Sequence, residues 1–452
     1  MANTTQAAAE GELDLSTVAI PDGVRMPAFA LTMAWWAVCS AVFYIVVGAT
    51  LALDYGARNA LIGMVLSVVS YGLINAVMSR YAIRTGLSVA LFSRVLFGSA
   101  GAALATLIFF ATAIYYAVFE GSVIAVAAHS LMPALDYKWA ALIVVCYSVP
   151  LIFGSVQHWL DKFNGVLLPF YLFGLLAAVV LATHRYGYNA AWLDFGPKGS
   201  VPANGWWNCF VYYMGVWVLM MFTFDYARFG RREDATYHGR WNFGMPFYLV
   251  TFVVNGAAGI YLVSTIPGLG TLSEVSVVTA LLKLMGVWGL LFVWVTQSRI
   301  NTANYYLATV NMQAFFQKVA GLRAPKYVWA LVVGAVVYAL MMADVFSKLL
   351  QALAWQGVFI VAWVGVALAH ILSTRYEELL GGDIECRDTH VPAFNPGGMS
   401  AWFAGVFVGM MLTTASSGFV QSLSAPATFA VSWIVYRGML ASAKRAWFVR
   451  EM

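Results

Sequence analysis

Long apolar runs separated by short polar pieces account for most of this chain. A helical membrane span needs roughly 20 apolar residues. Twelve stretches read that way: 27–53, 59–79, 101–128, 139–156, 163–183, 206–226, 243–266, 277–316, 327–343, 347–372, 400–416 and 421–441. The eighth is too long for one straight span, and its last turns are expected to enter the cytoplasm. Runs such as ALIGMVLSVVSYGLINAVM (60–78) do not alternate apolar and polar residues as the strands of a membrane barrel would. The pattern therefore predicts an all-α bundle of twelve transmembrane helices. Only the N-terminal tail (1–26) and the 373–398 segment are polar over any length. The tail lacks the charged start, apolar core and cleavage site of a signal peptide, so the first span is expected to act as an uncleaved anchor.

Composition agrees with the pattern. Of 452 residues, 62% are hydrophobic and 10% charged, against about 45–50% and about 25% in soluble domains. Basic residues set the orientation, because short cytoplasmic loops collect them. With the N-terminus inside, the inner pieces hold 18 of the 25 Lys and Arg, among them Arg25, Arg94, Lys162, Arg228 and Lys318. Both termini are thus expected on the cytoplasmic side of the plasma (inner) membrane. This collar accounts for the net charge of +5, so no nucleic-acid partner is implied. The four cysteines show no metal or redox spacing, and no disulfide is expected. The chain carries no zinc-protease, phosphate-loop or nucleophile-elbow motif, and its six histidines are scattered. An enzyme is not expected, nor a cofactor or metal. A sensor would bring a signalling domain, and the 373–398 segment is too short to be one.

Two ionisable residues lie at membrane depth, Glu120 in the third span and Arg299 in the eighth. Either costs about 2.5–3.5 kcal/mol at a helix centre, so such groups face a polar cavity or each other. The bland alternative is a salt bridge that locks the two spans together. The first ten spans divide into halves of five, 27–183 and 206–372, followed by the cytoplasmic loop 373–398 and two further helices within 399–452. Five is odd, so the second half enters the membrane inverted, a common transporter plan with its site near the midplane beside broken helices. The first helix of each half carries small residues at mid-depth: Ala37, Cys39, Ser40 and Ala41 in one, Gly215 in the other. GVFVG (405–409) is a small-xxx-small pattern, read as packing of the eleventh span.

Three pieces carry a resemblance: TGLSVALFSRVLFGSAG (85–101), DYARFGRRED (225–234) and NTANYY (301–306). In that order they resemble the nucleobase–cation symporters, the family of cytosine and hydantoin permeases. The resemblance implies a LeuT-like fold of two inverted five-helix repeats plus two peripheral helices; a monomer is expected. It implies import of a small planar nitrogen heterocycle by alternating access. The flat ring would lie between aromatic residues of spans three and six, where stacking adds roughly 0.5–1.5 kcal/mol. On span three that position is Tyr116. On span six it falls among Gly215, Val216 and Trp217, of which only Trp217 is a ring. Thr296, Asn301 and Asn304 would read the ring's edge, and Ser40 stands near both ligand and ion.

Two positions depart from the family. Glu120 and Ala113 stand where hydantoin and cytosine permeases respectively carry a glutamine, and positions 113, 116 and 120 share one helical face. An ionised carboxylate only accepts hydrogen bonds, so the ligand is expected to present N–H donors or a positive charge. Guanine-like, creatinine-like or thiamine-like rings fit, and an amino-acid or organic-cation carrier on the same scaffold is the alternative. The sodium site of the family maps onto the carbonyls of Ala37 and Ser40 and onto Arg299 and Ile300. A guanidinium does not deprotonate in proteins, so Arg299 is expected to stand in for sodium, with Glu120 carrying a proton. Coupling to H+ is thereby preferred to Na+.

Overall fold

The computed structural model describes residues 18–153, 155–381 and 384–450, and for 155–166 the backbone alone. Most of the N-terminal tail and the side chain of Lys162 lie outside the described residues. Helices dominate, and among the described residues the one β-type pairing is an isolated bridge between Met26 and Gly230.

Spans one and six are each broken in mid-course. Span one consists of Ala28–Trp36, a turn at Ala37–Ser40 and Val42–Tyr55, bent by 44°. Span six consists of Gly205–Met214 and Val218–Ala227, bent by 43°. Neither break contains proline. In span one Ala41 is extended (φ −75°, ψ 128°), which frees polar backbone groups that lipid cannot satisfy. The Cys39 carbonyl accepts from Asn255 Nδ2 at 2.9 Å, and the Ala37 carbonyl accepts from Ser40 Oγ at 2.7 Å. In span six Tyr71 Oη donates to the Tyr213 carbonyl at 2.6 Å, and Gln356 Nε2 to the Gly215 carbonyl at 3.0 Å. Residue 215 must be glycine because a Cβ there would overlap the Leu353 backbone of span ten. Gly215, expected beside the ligand, is thus used for close helix packing.

The eighth apolar run is two helices rather than one. Gly286 takes a positive φ of 57° and separates Ser276–Met285 from Val287–Ala320. Part of the excess length thus lies before the span as a separate short helix, and the 34 residues of Val287–Ala320 still exceed the roughly 20 that cross a membrane. The segment 85–101, between the second and third predicted spans, contains a helix, Val89–Gly101. Asp225 Oδ1, 136 positions away, accepts from the Val89 N–H at 2.8 Å at its start. Its far end bonds to the 392–395 backbone, with Ser99 N–H on the Pro392 carbonyl and Ala100 N–H on the Ala393 carbonyl, both at 2.8 Å. The remaining spans two, three, five, seven and ten are long and apolar: Ala57–Thr85, Ala103–Leu131, Leu167–Tyr186, Arg232–Thr265 and Val345–Ile371. Tyr137–Ile152 and Lys326–Met342, spans four and nine, are shorter. Spans eleven (Pro396–Thr413) and twelve (Ser424–Ala441) pack on each other and on span ten. A Cβ at Gly405 or Gly409 would overlap Ser432 or Thr428 of span twelve, so the GVFVG pattern serves that contact.

At one end of the bundle the chain before span one lies across spans two and six. Arg25, buried, donates to the Ile83 carbonyl at 2.7 Å and the Gly230 carbonyl at 2.6 Å and pairs with Asp22 at 2.8 Å. Met26 N–H adds a bond to the Phe229 carbonyl at 2.7 Å.

Candidate functional site

A cavity of about 190 Å3 opens beside the break of span one, between spans one, three, six and eight. That is smaller than the roughly 300–1,000 Å3 of pockets for drug-sized ligands and suits a molecule of one or two rings. Span one contributes Ala41, Phe43 and Tyr44, span three Tyr116 and Glu120, span six Leu219, Phe222 and Tyr226, and span eight Arg299, Ile300, Thr302, Ala303, Asn304 and Leu307. From the breaks the lining follows spans six and eight toward the end held by Arg25. Tyr226 also lines a second cavity at that end, beside Asp225 and Arg228.

Tyr116 stands edge-on to Phe43, ring centres 5.1 Å apart and planes at 80°. Phe43 and Phe119 make the same contact at 5.0 Å, and Phe119 meets Phe346 at the start of span ten, also at 5.0 Å. Of this aromatic row, Phe43 and Tyr116 line the cavity. Phe222 is the span-six ring in the cavity, stacked on Phe109 of span three at 5.6 Å and 15°.

Glu120 is 2% exposed. Its partner is Gln297, one residue the sequence reading did not single out. With the amide orientation assigned from the surrounding network, Gln297 Nε2 donates to Glu120 Oε2 and its oxygen accepts from the Val42 N–H at 3.2 Å. Arg299 Nη1 donates to the Ala37 carbonyl at 3.0 Å and to Ser40 Oγ at 2.9 Å. Glu120 and Arg299 both line the cavity.

Other expected site residues are dispersed. Trp217 packs edge-on against Phe429 of span twelve (5.6 Å, 86°) and Tyr71 (6.2 Å, 86°), and neither it nor Val216 lines the cavity. Thr296 is buried and donates to its own helix at the Phe292 carbonyl, 2.7 Å. Asn304 lines the cavity with its Nδ2 unpartnered, whereas Asn301 is fully buried with both amide atoms unpartnered and lies outside the lining. Ser298 bonds Tyr147 of span four at 2.7 Å, and Thr302 bonds its own helix at the Ser298 carbonyl, 2.8 Å. Gln356 reaches both Tyr116 Oη (3.5 Å) and the Gly215 carbonyl. His370 sits at the far end of span ten, bonded to Tyr436 Oη at 2.7 Å.

No protein-family model and no curated sequence matches the chain significantly. Solved structures do match. The inward-facing conformation of Mhp1 superposes with a TM-score of 0.72 over 96% of this chain and 94% of that one, at 12% identity. Mhp1 in a closed conformation with bromovinylhydantoin bound gives 0.71 over 94% and 95%, at 14% identity. A Na+-coupled sialic acid symporter gives 0.58 over 95% and 92%, at 11% identity. The order of spans, the two broken helices and the end-to-end superposition together give this multi-pass membrane protein the LeuT-like fold of Mhp1, a nucleobase-cation-symport-1 family transporter.

Proposed function

We propose that the chain is a secondary transporter that imports a small planar nitrogen heterocycle, driven by protons rather than sodium. One observation carries the coupling. The Arg299 guanidinium lies on the Ala37 carbonyl and Ser40 Oγ at the break of span one, the place the family resemblance gives to sodium. A hard alkali cation needs oxygen ligands, and here a fixed charge already engages one of the two mapped carbonyls, that of Ala37, together with the Ser40 hydroxyl. Glu120, in the same cavity, is then the group that takes up and releases the proton, and the one that accepts N–H donors from the ligand.

The ring is flanked by Tyr116 and Phe222 rather than by Tyr116 and Trp217, and Asn304 meets its edge. Phe222→Ala is expected to raise the apparent KM about two- to tenfold, the equivalent of one lost stacking contact. Trp217→Phe is expected to leave KM unchanged, because Trp217 faces span twelve. Concentration series of uptake for both variants check this, and a larger effect at Trp217 than at Phe222 would reverse the assignment. The second cavity beyond Tyr226 gives the cargo its way out on the cytoplasmic side.

The deciding measurement is uptake into proteoliposomes of labelled cytosine, guanine, adenine, uracil, creatinine and thiamine. Each is tested under an imposed proton gradient and, separately, an imposed sodium gradient. Accumulation of one ring under the proton gradient alone is the expected result. Accumulation that follows sodium alone would overturn the coupling. A preference for thiamine or creatinine over neutral bases would favour the organic-cation reading, for which Glu120 in the cavity is the specific argument.

A further inference from the structure

We infer that Gln297 is a positioning residue that ties the Glu120 carboxyl to the broken segment of span one. This rests on the reading of Glu120 as the proton- and ligand-binding group. The second half of span one, Val42–Tyr55, begins after an extended Ala41 with no side-chain cap. Helix N-termini leave their first N–H groups without partners, and in lipid each must be satisfied. The Val42 N–H finds its acceptor in trans, on the Gln297 amide oxygen at 3.2 Å, while the same amide donates to Glu120 Oε2. One planar amide thus bridges span eight to spans one and three. Gln297 is fully buried, its backbone neighbour Thr296 is 2% exposed, and Glu120 and Ala41 line the cavity on the other side of the bridge.

The chemistry of the amide makes the bridge directional. Its two ends are fixed as one donor and one acceptor. The N–H end serves Glu120 Oε2, which leaves Oε1 as the carboxyl oxygen for a cavity ligand or a proton. The oxygen end serves Val42. A shift of the carboxyl toward a ligand therefore pulls on the acceptor that holds the start of the second half-helix. Arg299 holds the other side of the same break through Ala37 and Ser40. The turn at 37–41 is consequently clamped from span eight at both ends, by a charge that cannot move off and by an amide whose position follows Glu120.

A reporter already sits in the turn. Cys39 is a buried free thiol whose carbonyl is held by Asn255. With Cys146, Cys209 and Cys386 replaced by alanine in the full chain, labelling of Cys39 by N-ethylmaleimide in proteoliposomes reads the opening of the turn without any transported ligand. Gln297→Met, which keeps the length and loses both bonds, is expected to speed labelling at least about fivefold, as loss of one net hydrogen bond would. Glu120→Ala is expected to speed it similarly, and the double variant no further than either alone. Faster labelling with Gln297→Met but not with Glu120→Ala would reduce Gln297 to a helix cap and overturn the link. No change with either would overturn the whole inference. Should Gln297→Met not yield folded protein by gel filtration, Gln297→Asn, too short to span both partners, carries the same expectation. Because the readout needs no cargo, a failed uptake screen counts against the transport reading alone.

Discussion

Arg299→Ala is expected to abolish proton-driven accumulation while leaving the protein folded in the membrane. The guanidinium supplies one donor each to the Ala37 carbonyl and Ser40 Oγ. Ser40 Oγ still donates to that carbonyl in the variant, so what is lost is two charge-assisted bonds, each worth about 1.5–3 kcal/mol. The free energy that favours the bent geometry of span one falls by at least that amount, which is about tenfold or more in the population of a competent state. Arg299→Lys should rescue only in part, since an ammonium is a point charge without the planar fork. Arg299→Ser is the informative partner. It restores a hydroxyl near the Ala37 carbonyl and removes the fixed charge, and sodium-stimulated uptake is the expected gain. Uptake by Arg299→Ala at the level of the unaltered protein, with unchanged response to protons and sodium, would remove the argument for a built-in cation.

Glu120→Gln is expected to separate binding from coupling. The amide keeps the length of the side chain and can still meet Gln297, but it neither takes up nor releases a proton. Counterflow exchange of preloaded substrate should persist, because exchange needs only alternating access. Accumulation under an imposed pH gradient should fall to the level measured without one. Full gradient-driven accumulation in this variant would show that the proton travels by another group. The loss expected here is large because the carboxyl is the one acid in the cavity lining, whereas the stacking contacts at Phe222 and Tyr116 are each worth about one order of magnitude or less.

Much of this was legible along the chain because it depends on short-range chemistry. The twelve spans follow from runs of apolar residues that lipid selects one helix at a time. The breaks in spans one and six coincide with Ala37–Ala41 and Gly215, where small side chains permit a turn without proline. Gly286 and the 89–101 helix were missed for a related reason. The first is one glycine inside an unbroken apolar run, and the second is a helix whose start and end are held by Asp225 and the 392–395 backbone, far away in sequence.

The sequence by itself therefore determined that this is a helical membrane bundle, that small residues permit a turn in spans one and six, and that Glu120 and Arg299 must be accommodated at depth. Only the tertiary structure decided what each of them meets. At 3.6 residues per turn, neighbouring positions on a helix point about 100° apart, so a bend at Gly215 turns Trp217 toward span twelve and Phe222 into the cavity. Arg299 lies 262 positions from Ala37, yet it bonds that carbonyl. Gln297 carried no signal of its own, since a single glutamine in a polar stretch of span eight looks like its neighbours. Its role exists only where the orphaned Val42 N–H and a buried carboxyl come within reach of one amide. Local propensity fixes which groups lose their helical partners, and the packing of distant helices selects the groups that replace them.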